Sequence, residues 1–246
     1  MHSTHAAARR ATFVTPLLGI WLGLSMSFMP ATGHAATETR TVGDFQAIAL
    51  GVSLDLVVRQ GPQQLLQLQG DEALLARLET VVENSSNGPA LVVRWKKDNN
   101  TVYMRGKAVM TVVLPRLSAL NVTGSGDVKI ENFSSAALQL AMSGSGDIKL
   151  LGLVTEDLNV RISGSGDISG SGKANKLKIS IAGSGNARLK EMSADDVTVS
   201  IAGSGDAAVN AQKSLTVSIA GSGDVNYSGN PTVKKSVVGS GSVSQR

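Results

Sequence analysis

The chain has 246 residues, of which 27 are glycine and none is cysteine; 42% are hydrophobic, 3% aromatic and 17% charged, and the formal charge is +4. The apolar fraction is too high for a disordered chain, and the length allows one large domain or two small ones. The missing cysteines exclude disulfides, zinc ribbons, iron–sulfur clusters and thiol nucleophiles.

Residues 1–35 read as an export signal. Arg9 and Arg10 precede an apolar stretch over 11–29, centred on Leu17, Leu18, Ile20, Trp21, Leu22 and Leu24 and ended by Pro30. Gly33 and Ala35 supply the small residues of a cleavage site after Ala35. The stretch nearly reaches spanning length, but Thr12, Thr15, Pro16, Ser25 and Ser27 dilute it. The arginine pair also hints at twin-arginine export, although Phe13 stands one place late for that motif. Removing 35 of the 246 residues leaves a mature chain of 211 that starts at Ala36. Two arginines and no acids go with the signal, so the formal charge falls from +4 to +2 and gives no argument for a nucleic-acid partner. No transmembrane segment is expected after cleavage. His2, His5 and His34 are also lost, which excludes histidine-based triads, general bases and metal ligands from the mature chain.

Residues 36–118 are irregular and are expected to form the N-terminal, capping part of a solenoid. Strands are expected over 45–58, broken at Gly51, with Leu54, Leu56 and Val58 alternating. Gly61-Pro62 marks a turn, after which Leu66 and Leu68 alternate. Asp71 is placed to cap a helix over 72–82, with Leu74, Leu75 and Leu78 on one side. A loop follows over 84–89, then strands over 91–95 and 109–114. Arg94, Lys96, Lys97, Arg105 and Lys107, with Trp95 and Tyr103, read as a solvated sheet face.

Residues 119–246 carry a repeat. Gly-Ser-Gly starts at Gly124, Gly144, Gly164, Gly183, Gly203, Gly221 and Gly239, with steps of 20, 20, 19, 20, 18 and 18 residues. The next residue is Asp127, Asp147, Asp167, Asn186, Asp206, Asp224 and finally Ser242. Apolar residues alternate on both sides, as in Leu138, Leu140 and Met142 before one corner and Ile148 and Leu150 after it. Each repeat therefore holds two short strands joined by a corner where glycine allows positive φ and Asp or Asn bonds the turn backbone. A parallel β-helix with one coil per repeat and a meander of hairpins both satisfy this pattern. The constant period and scarce aromatics favour the all-β solenoid, right-handed by crossover chirality, with about 20 residues per coil.

The run Val42-Gly43-Asp44-Phe45-Gln46-Ala47-Ile48, the Gln60-Gly61 turn, the segment from Gly70 to Leu75 and the Gly-Ser-Gly-Asp series together resemble the head GIN domain family, labelled auto-transporter adhesin. The resemblance covers roughly residues 42–243. It implies an exported bacterial protein with a right-handed β-helix, and it implies no ligand or catalytic residues. Arg246 follows the last repeat directly, so the resemblance is expected to stop at the head and to include no translocator barrel.

Candidate chemistry is sparse. Gly-Ser-Gly-Asp lacks the helix and the lysine of a phosphate loop, and Ser125 and Ser145 have no base in their motif. Asp127, Asp147, Asp167, Asn186, Asp206 and Asp224 are read as structural turn corners, bonded to their own turn amides rather than to calcium, which takes six to eight oxygens. No catalytic, cofactor or metal residue is assigned. The expected protein is a non-catalytic, exported envelope or surface protein, adhesin-like or binding a glycan or a protein partner. The alternatives are a polysaccharide lyase or hydrolase using carboxylates such as Asp195-Asp196, and an envelope-stress scaffold.

Overall fold

The computed structural model describes residues 35–97 and 107–246. The export signal before Ala35, together with Tyr103 and Arg105, lies outside the described residues. In chain order the elements are β1 (Ala35–Thr39), β2 (Ala47–Leu50), β3 (Asp55–Gln60), β4 (Leu65–Asp71), α1 (Glu72–Arg77), β5 (Leu78–Ser85), β6 (Gly88–Trp95) and β7 (Val109–Leu114). They continue as β8 (Ala119–Val122), β9 (Val128–Glu131), β10 (Ser134–Met142), β11 (Ile148–Ile162), β12 (Ile168–Gly183) and β13 (Ala187–Gly203). The last four are β14 (Ala207–Gly221), β15 (Val225–Ser228), β16 (Thr232–Gly239) and β17 (Val243–Gln245).

From β8 onward every pairing is parallel, which excludes the hairpin meander and makes the repeats stacked coils. Each coil contributes one run before its Gly-Ser-Gly corner and one after it. The alternation seen in the sequence fixes which residues point inward. Leu140 aligns with Val160, Val160 with Ile179, Ile179 with Val199, and Val199 with Val217. All five are at most 2% exposed. Each such burial stabilises the fold by about 1.5–3 kcal/mol, so the interior is an aliphatic column needing few aromatics. The long strands β11–β14 bend round a second corner, where the register shifts at Leu150/Leu153, Ser169/Ser171 and Leu189/Ser193. Bulges at this corner absorb the uneven steps of the repeat, while the Gly-Ser-Gly corners stay in register.

The N-terminal coils stack out of chain order. β2 pairs in parallel with both β6 and β8, and β3 with both β7 and β9. The coil formed by β2 and β3 is therefore inserted between the β6–β7 coil and the β8–β9 coil. Beyond β6 and β7 the pairing turns antiparallel: β5 lies on β6, β4 on β7, and β1 on β4. These strands and α1 close that end of the stack.

The helix is shorter than expected. Asp71 caps it, accepting from the amides of Ala73 at 3.0 Å and Leu74 at 3.3 Å. It ends at Arg77, and residues 78–85 form β5 instead of continuing the helix to residue 82. The β-branched run Thr80-Val81-Val82 pairs with β6, and those sheet bonds outweigh weak helical preference. Two cations take up the freed helix carbonyls: Arg40 donates to Leu75 O at 2.7 Å and Leu78 O at 2.8 Å, and Lys96 Nζ donates to Ala76 O at 2.6 Å. Leu74, Leu75 and Leu78 are buried as the sequence pattern implies.

Candidate functional site

The Gly-Ser-Gly corners stack directly on one another. A Cβ built on either glycine of any corner would stand 1.8–2.6 Å from a carbonyl oxygen of the preceding coil. For Gly144 the oxygen is that of Gly124, and for Gly146 that of Gly126. Positive φ occurs at Gly183, Gly203, Gly221 and Gly239, but not at Gly124, Gly144, Gly164 or any second glycine. The common requirement is thus close backbone approach between coils, and turn conformation is a lesser one.

The Asp or Asn after each corner bonds forward along the stack and not to its own turn. Asp127 Oδ1 accepts from the Asp147 amide at 3.1 Å, and Asp147 Oδ1 from the Asp167 amide at 3.2 Å. Asn186 Oδ1 accepts from the Asp206 amide at 2.9 Å, and Asp206 Oδ1 from the Asp224 amide at 2.8 Å. Asp167 makes the fullest set: its Oδ1 accepts from both the amide and the Nδ2 of Asn186 at 2.8 Å, and its Oδ2 pairs with Arg188 at 2.6 Å. Burial disfavours the charge on Asp167, but the Asn186 and Arg188 bonds outweigh it and hold the carboxyl below its usual range. The ladder begins earlier than the repeat shows, because Asp55 Oδ1 accepts from the Asp127 amide at 3.1 Å. Asp55 was not expected here: Val52 and Leu54 stand where later corners have glycine, and only Ser53-Leu54-Asp55 hints at the motif. Among the described residues no group of three or more acidic or histidine side chains converges as a metal site.

Asp195 and Asp196 do not form a converging carboxylate pair. Lys213 Nζ donates to Asp195 at 2.9 Å and Ser214 Oγ donates to Asp196 at 2.6 Å, so each side chain is tied to the next coil. Arg94 of the basic stretch is likewise engaged, paired to Glu79 at 2.6 Å and to Glu83 at 2.7 Å.

A groove on the outer surface is different. Three adjoining depressions run along the stack. The first lies among Gln46, Gln64, Pro62, Pro89, Pro115 and Arg116. The second continues past Pro115 and Arg116 to Ser134 and Ala137. The third runs from Ala137 over Gln139, Asp157, Asn159, Lys176, Lys178 and Thr198. At about 4.8 Å per coil the groove is roughly 30 Å long. Asn159 Oδ1 is the one buried side-chain polar atom among the described residues with no hydrogen-bond partner. The side chains of Gln139, Lys176 and Lys178 have no hydrogen-bond or ion-pair partner among the described residues. The polar alternation marked these residues as outward, but nothing in a linear pattern shows that neighbouring coils leave a channel between them.

A family described as "Putative auto-transporter adhesin, head GIN domain" matches residues 44–231. The fold is similar to the crystal structure of a protein named putative adhesin from Bacteroides fragilis NCTC 9343, with TM-score 0.81 and 27% identity over 87% of this chain and 97% of that one. A putative adhesin from Parabacteroides distasonis ATCC 8503 has TM-score 0.69 and 20% identity over 87% of this chain and 98% of its own. A putative lipid binding protein from the same organism has TM-score 0.65 and 24% identity over 87% of this chain and 98% of its own. At those identities the latter two share the fold alone. Comparison with the curated proteins found no match. Among the described residues no helix is long and apolar enough to cross a membrane.

Proposed function

The chain belongs to the head GIN domain family, and from that membership we propose that it is an exported, non-catalytic, adhesin-like protein of the bacterial envelope or surface, holding an extended glycan in its outer groove. The adhesin names of the family and of the B. fragilis neighbour support the adhesive reading. The observation that carries the ligand class is the set of unengaged polar side chains in the groove: Gln139, Lys176 and Lys178 have no partner among the described residues, whereas Asp167 pairs with Arg188 and Asp195 with Lys213 within the stack. Gln139 on β10 and Lys176 and Lys178 on β12, beside Asp157 and Asp196 on the flanking coils, offer donors and acceptors to the hydroxyls and carboxylates of a polymer. Phe45 is buried and the third depression has no aromatic lining, so recognition rests on hydrogen bonds and charge, with no ring stacking.

Affinity electrophoresis through gels containing neutral or acidic polysaccharides tests this. The mature chain is expected to be retarded by at least one acidic polysaccharide without releasing shortened or unsaturated products. The double variant Lys176→Ala, Lys178→Ala is expected to lose roughly tenfold or more in affinity, a cost of about 1.4 kcal/mol. Product release would favour the lyase or hydrolase reading, and absence of retardation by every polysaccharide would remove the glycan.

A further inference from the structure

The third depression of the groove carries its charges in a fixed order. Two outward columns line it, on either side of the buried Leu138, Leu158, Leu177 and Val197. One column aligns Asp157, Lys176 and Asp196 on successive coils, and the other aligns Gln139, Asn159, Lys178 and Thr198. Along the stack the first column therefore runs negative, positive, negative. Aligned residues on adjacent coils stand about 4.8 Å apart, so the two carboxylates flank the lysine with roughly 10 Å between them. Asp157, Lys176, Lys178 and Asp196 are all exposed.

These charges do not pair with one another. Among the described residues the side chains of Asp157, Lys176 and Lys178 have no ion-pair or hydrogen-bond partner, and the Asp196 carboxylate accepts only from Ser214 Oγ, at 2.6 Å. Asp195 shows the alternative, since Lys213 on the next coil reaches it at 2.9 Å. Two lysines and two aspartates also leave this part of the groove without net charge. A wholly anionic chain therefore gains little there, because its attraction to Lys176 and Lys178 is offset by repulsion from the carboxylates one coil to either side. Only a ligand whose charges follow the same order gains at every position.

We propose that this stretch of the groove selects a glycan bearing both free amino and carboxylate groups, with a carboxylate at Lys176 and Lys178 and ammonium groups at Asp157 and Asp196. The proposal rests on the glycan reading above and narrows it from acidic glycans at large to those that carry both charges. A ligand ammonium turns the repulsion at each aspartate into attraction and donates its N–H groups to the carboxylate. The same aspartates disfavour a wholly anionic chain, and specificity is the difference between those two affinities. Gln139 and Thr198 beside them are neutral and serve the hydroxyls of either kind of chain.

Affinity electrophoresis of residues 36–246 at about pH 6, where amines and carboxylates are both charged, tests the proposal with two forms of one backbone. Hyaluronan alternates a uronate with an N-acetylated amino sugar, and its de-N-acetylated form carries a free ammonium in place of each acetamide. The de-N-acetylated form is expected to bind at least roughly fivefold tighter at low salt, with the difference shrinking as salt is raised. Non-specific attraction of a net positive chain to polyanions works the other way, because de-N-acetylation lowers the polymer's negative charge. The double variant Asp157→Asn, Asp196→Asn keeps the side-chain size and the acceptor for Ser214. It is expected to bind hyaluronan more tightly than the wild type does and the de-N-acetylated form less tightly. Hyaluronan bound at least as tightly as the de-N-acetylated form, or a preference that the double variant leaves intact, would overturn the proposal while the glycan reading stands. Binding of neither polymer would also overturn it, and retardation by the other polysaccharides then decides separately whether the groove takes a glycan.

Discussion

A methyl group on Gly146 would stand 2.2 Å from the carbonyl oxygen of Gly126, a backbone atom fixed by the neighbouring coil. Gly146→Ala therefore forces two coils apart and is expected to cost about 2–4 kcal/mol. Gly43→Ala meets nothing within 4 Å and is expected to change stability by less than about 0.5 kcal/mol. Urea denaturation of the two variants checks both. Charge acts at the same scale. Asp167 has a depressed pKa in the fold, so its contribution is fully present above the usual unfolded aspartate value, about 3.9, and is lost as pH falls through the folded value. Stability is expected to decline as pH drops below about 4. Asp167→Asn keeps the acceptor and removes the titration, so its melting temperature is expected to fall less steeply over the same acid range. An unchanged acid slope in that variant would show that Asp167 contributes nothing to the pH dependence.

At the scale of elements, the coils were legible because the repeat encodes them twice, in the Gly-Ser-Gly period and in the alternation of Leu138, Leu140 and Met142. The spacing of β11, β12 and β13 follows those two signals, while the parallel pairing that excludes hairpins comes from the structure. What was not legible depends on contacts distant in sequence. Residues 78–82 read as helix beside Leu74 and Leu75 and residues 84–89 as a loop, and only pairing with β6 makes 78–85 a strand. The insertion of β2 and β3 between later coils leaves no local trace, since an alternating strand does not name its neighbour. Asp55 belongs to the corner ladder at a separation of 72 residues from Asp127, and no period reveals that. The register supports one further prediction. Deleting 144–163 removes one full coil and joins Ser143 to Gly164, equivalent corners in adjacent coils, so the shortened chain is expected to fold cooperatively. Deleting 144–153 moves inward side chains out of register and is expected to abolish the cooperative transition. Circular dichroism melts distinguish the two, and similar behaviour would contradict the coil assignment.

For the whole molecule, the corners and the groove divide the work between stability and recognition. The corner Asp and Asn side chains bond to the neighbouring coil along the stack, from Asp55 to Asp224, and so hold the coils together. Across the surface, Gln139, Asn159, Lys176 and Lys178 line a channel that crosses several coils, and Asn159 Oδ1 and the side chains of the other three lack partners among the described residues. The sequence has no cysteine and no histidine after His34, and its repeat points to a β-solenoid, but neither carries information about this channel, which arises only when coils stack. Hydrogen exchange of residues 36–246 with and without a bound acidic oligosaccharide tests this division most directly. The account predicts added protection over residues 134–139, 157–159 and 176–178, with the Gly-Ser-Gly corners unchanged. Protection concentrated at the corners, or none along the groove while the oligosaccharide is bound, would contradict it.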